Sequence, residues 1–248
     1  MAVRNKTRKI IILISCLGLV LVIVAGIVIF KTRGRTQIQI DIHQNKELIH
    51  LSTFSEPPQF AIWLEDPVTK ECKTVFVTHR VAIGDWEGKA NVPVALPQWF
   101  KIFRSDTKSG LAVDGKKDDL AVTGATPKGD YFTLRAEVKP GSKWICWIEM
   151  NLAGDFNEAF PEVDREAFME DEFSNGQPAI LYRAEIEAVE NMKFTPVLES
   201  QSLWDNGTVT IEPVSDGVIS ARNVFDTIQI SVIRPKPKLI NKYKVEDL

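Results

Sequence analysis

Gln37-Ile38-Gln39-Ile40-Asp41-Ile42 alternates polar and apolar residues with a period of two. Successive side chains of a β-strand point to opposite faces, so this pattern predicts a strand with one buried and one wetted face. Near the other end of the chain, 227–233 repeats it: Ile228, Ile230 and Val232 lie on one side, Thr227, Gln229 and Ser231 on the other. Between these two stretches, alternation returns at 60–65, 74–79, 131–138, 144–150 and 180–187. Gly, Pro, Asn and Asp fall in the gaps, as turns between short strands require. Only 96–104 and 220–225 read as short helices. The expected fold class is all-β: a β-sandwich, immunoglobulin-like or similar, with short helices.

Upstream of the first strand, the run from Ile10 to Phe30 contains 21 residues and no charge. As a helix rising 1.5 Å per residue it would reach about 30 Å, the thickness of a bilayer's hydrocarbon core. A cleavable signal peptide has a shorter apolar region, about 7–15 residues, so an uncleaved transmembrane anchor is the preferred reading. Leu13-Ile14-Ser15-Cys16 resembles a lipobox, but cleavage there would leave fourteen more apolar residues at the new N-terminus. The expected organisation is a cytoplasmic basic tail (1–9), a transmembrane helix (10–30), a stalk with the first strand (31–57), an extracytosolic β domain (58–235) and a charged tail (236–248).

Charge supports that arrangement. Residues 1–35 hold seven basic side chains and no acid; removing them from the total of 30 leaves 23 basic against 33 acidic residues, a formal charge of −10. Such a domain is repelled by phosphate backbones, which argues against nucleic acid as a partner. Four basic residues precede the apolar run and three follow it. A short basic tail before a large acidic domain favours the tail inside and the domain outside the cytoplasm. Cys72 and Cys146 could form the outer domain's one disulfide or stand as two buried thiols, depending on whether strand geometry brings their Cα atoms to about 5.5 Å.

Few residues suggest chemistry. The acidic stretch Asp155, Glu158, Glu162, Asp164, Glu166, Glu170, Asp171 and Glu172 lacks the ligand spacing of a calcium loop, because Ala159 and Phe160 stand where a ligand and a glycine belong. It reads as a solvated loop with a short helical turn. His79, with Arg80 and the nearby Gly84-Asp85-Trp86, reads as the solvent-side end of a strand. Trp63, Trp86, Trp99, Trp144 and Trp147 read mainly as core, with some able to line a groove for a flat ligand. Asn206-Gly207-Thr208 fits a glycosylation sequon and a tight turn. No catalytic residue and no metal ligand is expected.

One segment carries a chemical resemblance. Thr123-Gly124-Ala125-Thr126, followed by Pro127, resembles the flavin-attachment motif of membrane redox flavoproteins: Asp, two variable residues, Ser or Thr, then Gly-Ala-Thr. The resemblance implies Thr126 as the acceptor of FMN through a phosphoester, with Thr123, Gly124 and Ala125 forming the approach. The sequence departs from the motif at Leu120, where the Asp is expected; Asp119 stands one residue early. The structural alternative is a turn in which Pro127 fixes φ and holds Thr126 extended before the strand at 131–138.

Several stretches together resemble the predicted periplasmic bacterial family of unknown function 2271. They include Phe60-Ala61-Ile62-Trp63-Leu64-Glu65-Asp66, Thr74-Val75-Phe76-Val77-Thr78, Leu96-Pro97-Gln98-Trp99, Thr123-Gly124-Ala125-Thr126-Pro127, Asp155-Phe156-Asn157-Glu158, Gly176-Gln177-Pro178-Ala179 and Asn206-Gly207-Thr208-Val209. They span roughly 58–234 and imply a bacterial, extracytosolic β domain associated with flavin-linked membrane redox proteins. The expected function is a non-catalytic accessory or binding domain on a single-pass anchor, with no cofactor. The alternatives are a redox carrier with FMN on Thr126, and a structural or ligand-binding module.

Overall fold

The computed structural model describes residues 14–27, 35–82, 85–86, 89–90, 95–104, 123–124, 126–164, 169–171, 173–205 and 208–235. Two sheets carry the domain. Sheet A has four strands in the order β12 (Lys193–Phe194), β15 (Phe225–Ile233), β1 (Thr36–Gln44) and β7 (Tyr131–Val138), all antiparallel. Sheet B has seven: β14 (Thr208–Glu212), β13 (Val197–Asp205), β11 (Ala179–Glu187), β8 (Lys143–Asn151), β2 (Gln59–Glu65), β3 (Cys72–Thr78) and β6 (Thr123–Gly124). Its pairings are antiparallel except β3 with β6. Two small ribbons accompany them: β4 (Asp85–Trp86) with β5 (Lys89–Ala90), and β9 (Val163–Asp164) with β10 (Met169–Glu170). The chain is mostly β and its two sheets form a sandwich, as the alternation predicts.

The period-two stretches supply the space between the sheets. Ile38, Ile40 and Ile42 of β1 and Ile230 and Val232 of β15 are at most 1 % exposed, and Ile228 is nearly as buried. They meet Phe60, Ile62 and Leu64 of β2, Cys146, Ile148 and Met150 of β8, and Ile180, Tyr182 and Ile186 of β11. Burying each such side chain contributes about 1.5–3 kcal/mol, so this layer holds the fold together. On β7, Phe132, Leu134, Ala136 and Val138 face the same core while Tyr131, Thr133, Arg135 and Glu137 face outward; as an edge strand it leaves Phe132, Leu134 and Val138 only half-buried.

The opposite face of sheet B is covered too. Leu96, Trp99 and the helix Pro97–Arg104 pack on Ala61, Trp63, Val77 and Leu181 in a second apolar cluster. The strands β2, β8 and β11 are therefore buried on both faces at their centres, and sheet B is the middle layer. Of the helices expected, 96–104 is present as Pro97–Arg104, while 220–225 shrinks to a 3₁₀ turn at Ala221–Asn223 because β15 begins at Phe225. A short helix at Lys46–Leu51, not expected from the sequence, starts where the Asn45 side chain accepts from the Glu47 and Leu48 N–H groups.

Residues 14–27 are helical with exposed apolar side chains; both ends of the apolar run lie outside the described residues. Among the described residues no helix is long and apolar enough to cross a membrane. The two candidate disulfide partners are free thiols. Register explains why they do not bridge. Cys146 pairs with Leu64 and faces the core between the sheets, whereas Cys72 pairs with Glu65 and packs on the helix side. They lie on opposite faces of one sheet.

Candidate functional site

The segment resembling a flavin-attachment motif lies at the edge of sheet B. Thr123 pairs with Val77 and Gly124 with Thr78 as the short parallel strand β6. Ala125 lies outside the described residues, as do Leu120 and Asp119. Thr126 and Pro127 follow, both half-buried, and the chain then crosses from sheet B to β7 of sheet A. The sequence offers a turn as the structural alternative here; in the structure Thr123 and Gly124 form an edge strand, and Thr126 and Pro127 begin a partly covered crossing. Gln44, fully buried at the end of β1, holds the crossing. Its side-chain amide donates to the carbonyls of Pro127 (3.0 Å) and Gly129 (2.8 Å), and its backbone N–H donates to Asp130 O (2.8 Å). Lys46 Nζ also donates to the Lys128 carbonyl. The carbonyls beyond Thr126 are thus tied to β1.

A buried carboxylate is the group the sequence reading did not single out. Glu149 of β8 is 0 % exposed, on the row that faces the helix rather than the inter-sheet core. Its Oε1 accepts from Gln98 N (2.9 Å) and Ser202 Oγ (2.5 Å), and its Oε2 from Trp99 N (2.7 Å). Gln98 N and Trp99 N are first-turn donors of Pro97–Arg104, left unpaired by the helix itself. A strand carboxylate therefore serves as that helix's cap from across the layer, and the helix dipole favours the charge there. Trp99 Nε1 donates to Thr74 Oγ1 (3.1 Å), a second tie to sheet B. Burial outweighs the hydrogen bonds and pushes the Glu149 carboxyl up to about 7.

The remaining candidates resolve into structure. Asp155, read as part of a solvated acidic loop, is buried. Both its carboxylate oxygens accept from Ser220 Oγ (2.7 and 2.9 Å), and the Gln177 amide donates to its carbonyl (3.1 Å) and to Ser220 Oγ (2.5 Å). Burial raises its pKa. Asp171 accepts from Phe173 N and Gly176 N, and Glu162 precedes the β9–β10 ribbon where a helical turn was expected. Glu166 and Glu172 lie outside the described residues. Among the described residues, no three His, Cys, Asp or Glu groups converge as a metal site.

His79 is exposed and opens the one-turn helix His79–Ala82, one residue past the strand end. Gly84 lies outside the described residues, and Asp85 and Trp86 belong to the β4–β5 ribbon. Trp63 and Trp99 are core; Trp147, half-buried, stacks at 6.2 Å on Trp63 beneath the Arg183 guanidinium (5.8 Å). Trp144, with Phe194, Lys143 and Glu187, lines a cleft of about 340 Å³. Asp205 pairs with Thr208, so the sequon bridges a two-residue connection, with Asn206 and Gly207 outside the described residues. No family model matches the chain, and neither a curated protein nor a solved structure does.

Proposed function

We propose that the chain is a membrane-anchored accessory domain held outside the cytoplasm, working beside flavin-dependent electron transfer without carrying the flavin. The immunoglobulin-like character of the sandwich, the kinship with the periplasmic family and the single N-terminal span belong to this proposal. One observation carries it: the Thr123-Gly124-Ala125-Thr126 segment is used as a connector. Its first two residues complete a sheet edge, and the carbonyls after Thr126 are held by Gln44. A transferase must bring a flavin nucleotide against its acceptor, and a half-buried threonine in a tied crossing opposes that approach. Leu120 in the place of the motif's acid weakens recognition further.

Co-expression with an FMN transferase tests the reading. The purified chain should carry no added FMN mass and no in-gel flavin fluorescence. A covalent FMN that disappears in Thr126→Ala would establish the redox-carrier alternative instead. Protease added to intact spheroplasts should digest residues 36–248, and protection of that region would overturn the proposed orientation. The cleft beside Trp144 and Phe194 favours one further reading, a ligand-binding module, checked by titrating small aromatic compounds against tryptophan fluorescence.

A further inference from the structure

Among the described residues, sheet A ends on β7, and this edge differs from the other sheet ends. β12 and β6 are two residues long and β14 is five. β7 runs for eight residues, contains no proline and pairs with β1 without a register break. Long regular edges offer unpaired N–H and C=O groups to another strand, and chains usually blunt them with prolines, bulges or brevity. The hydrogen bond from Gln44 N to Asp130 O, directly across the β1–β7 ladder, sets the phase. Even-numbered β7 residues turn their backbone groups toward β1, and Tyr131, Thr133, Arg135 and Glu137 turn theirs to the open edge. The apolar row is also incompletely covered there: Phe132, Leu134 and Val138 are half-buried, whereas Ile40 and Ile42 on the neighbouring strand are at most 1 % exposed.

We propose that a second copy of this chain adds its own β7 to this edge, antiparallel, about a two-fold axis through Ala136. Charge selects that register. A two-fold through Arg135 would set Arg135 against its own copy, and like charges directly opposite destabilise a strand pair. A two-fold through Leu134 would set Arg135 against Thr133 and Glu137 against Tyr131. Only the Ala136 register sets Arg135 opposite Glu137 twice, with Leu134 meeting Val138 on the apolar row. In that register the two edge-facing residues form hydrogen-bonded pairs, in agreement with the backbone phase. It also shifts the contact toward the Val138 end, away from the corner where the β6–β7 connection joins the sheets. Arg135 and Glu137 are both exposed; Arg135 contacts Gln39 of β1 and Glu137 contacts Arg35 just before it, so among the described residues the outer edge of β7 stays open.

The pairing does not depend on the proposed anchor and is compatible with it. With strands spaced about 4.8 Å and rising about 3.4 Å per residue, the two Thr36 residues lie about 20 Å apart near the axis. Both N-terminal segments can then enter one bilayer.

The test measures the mass of the full chain in detergent by light scattering across a concentration series. A dimer is expected. Arg135→Glu should weaken it by at least about tenfold, because both cross-strand pairs become repulsive. Arg135→Glu with Glu137→Arg should restore it, since the pairs are reversed in sign and intact. In a Cys16→Ser background, Thr133→Cys with Lys139→Cys places the two thiols opposite each other across the axis, and a short bismaleimide should link the copies. A monomeric wild-type chain, a dimer indifferent to Arg135→Glu, an unrescued double variant or the absence of the interchain link would each overturn the proposal.

Discussion

Replacing Glu149 by Gln separates the two opposing effects that act on this carboxylate. Unfolded, a Glu titrates near its ordinary value of 4.5; folded, burial pushes Glu149 up to about 7. Between those values the native state binds the extra proton, so stability falls as pH rises through the window. The contribution is fully present below the unfolded value and lost once pH passes the folded one. At about 1.36 kcal/mol per pKa unit, the loss between about pH 5 and about pH 8 comes to roughly 2–3 kcal/mol. Glu149→Gln removes that proton. It also sets an amide NH₂ against one of the three donors now satisfied, Trp99 N if the carbonyl keeps the place of Oε1, at a cost of about 1–3 kcal/mol. Guanidinium denaturation of the detergent-solubilised chain, followed by tryptophan fluorescence, measures both variants across this range. The wild type should lose about 2–3 kcal/mol relative to Glu149→Gln on going from the acid to the alkaline end. An unchanged difference between them would refute the reasoning, and so would a wild type that gains on the variant as pH rises.

Three further outcomes follow from the packing. Gln44→Ala should cost about 1–3 kcal/mol by freeing the Pro127 and Gly129 carbonyls, while Thr126→Ala should cost under about 1 kcal/mol; denaturation midpoints compare them. Leu134→Ala should cost about 1–2 kcal/mol, below the roughly 2–5 kcal/mol of a fully buried site such as Ile40→Ala, because its site on β7 is only half-covered. Gly176→Ala should destabilise by more than about 2 kcal/mol in the same assay. Its φ of +72° disfavours a side chain, and a Cβ would meet the Asp155 backbone nitrogen at 2.7 Å.

Sequence patterning reached both sheets of this fold, since the alternation at 60–65, 74–79, 144–150 and 180–187 falls on β2, β3, β8 and β11. β1, β7 and β15 alternate cleanly because one face meets the core and the other water, and the sequence predicts each of them. β13 was not predicted. Ser200, Gln201 and Ser202 are buried in it: Ser202 donates to Glu149, and Gln201 accepts from Ser215 N. Polar side chains buried because they satisfy one another look, in hydropathy, like surface. Glu149 escapes notice for the same reason. In the alternation at 144–150 it shares a row with Ile145 and Trp147, and a lone carboxylate in such a row carries no sign in the sequence of what satisfies it. That face is covered by a helix fifty residues upstream in sequence, and local periodicity holds no record of it. The connector role of Thr123 and Gly124 likewise depends on a distant partner, β3, whereas the resemblance to an attachment motif is carried by the residues themselves.

The two domain thiols, set on opposite faces of one sheet, make the molecule its own reporter of opening. Cys146 has no exposed surface, and burial pushes its thiol up to about 12; a thiolate-directed reagent can reach it only when the sheets part. Cys72 is only half-buried on the helix side, so it is labelled without such an opening and serves as the internal reference. The ratio of their labelling rates in a single preparation then reads the free energy of breaching the sandwich.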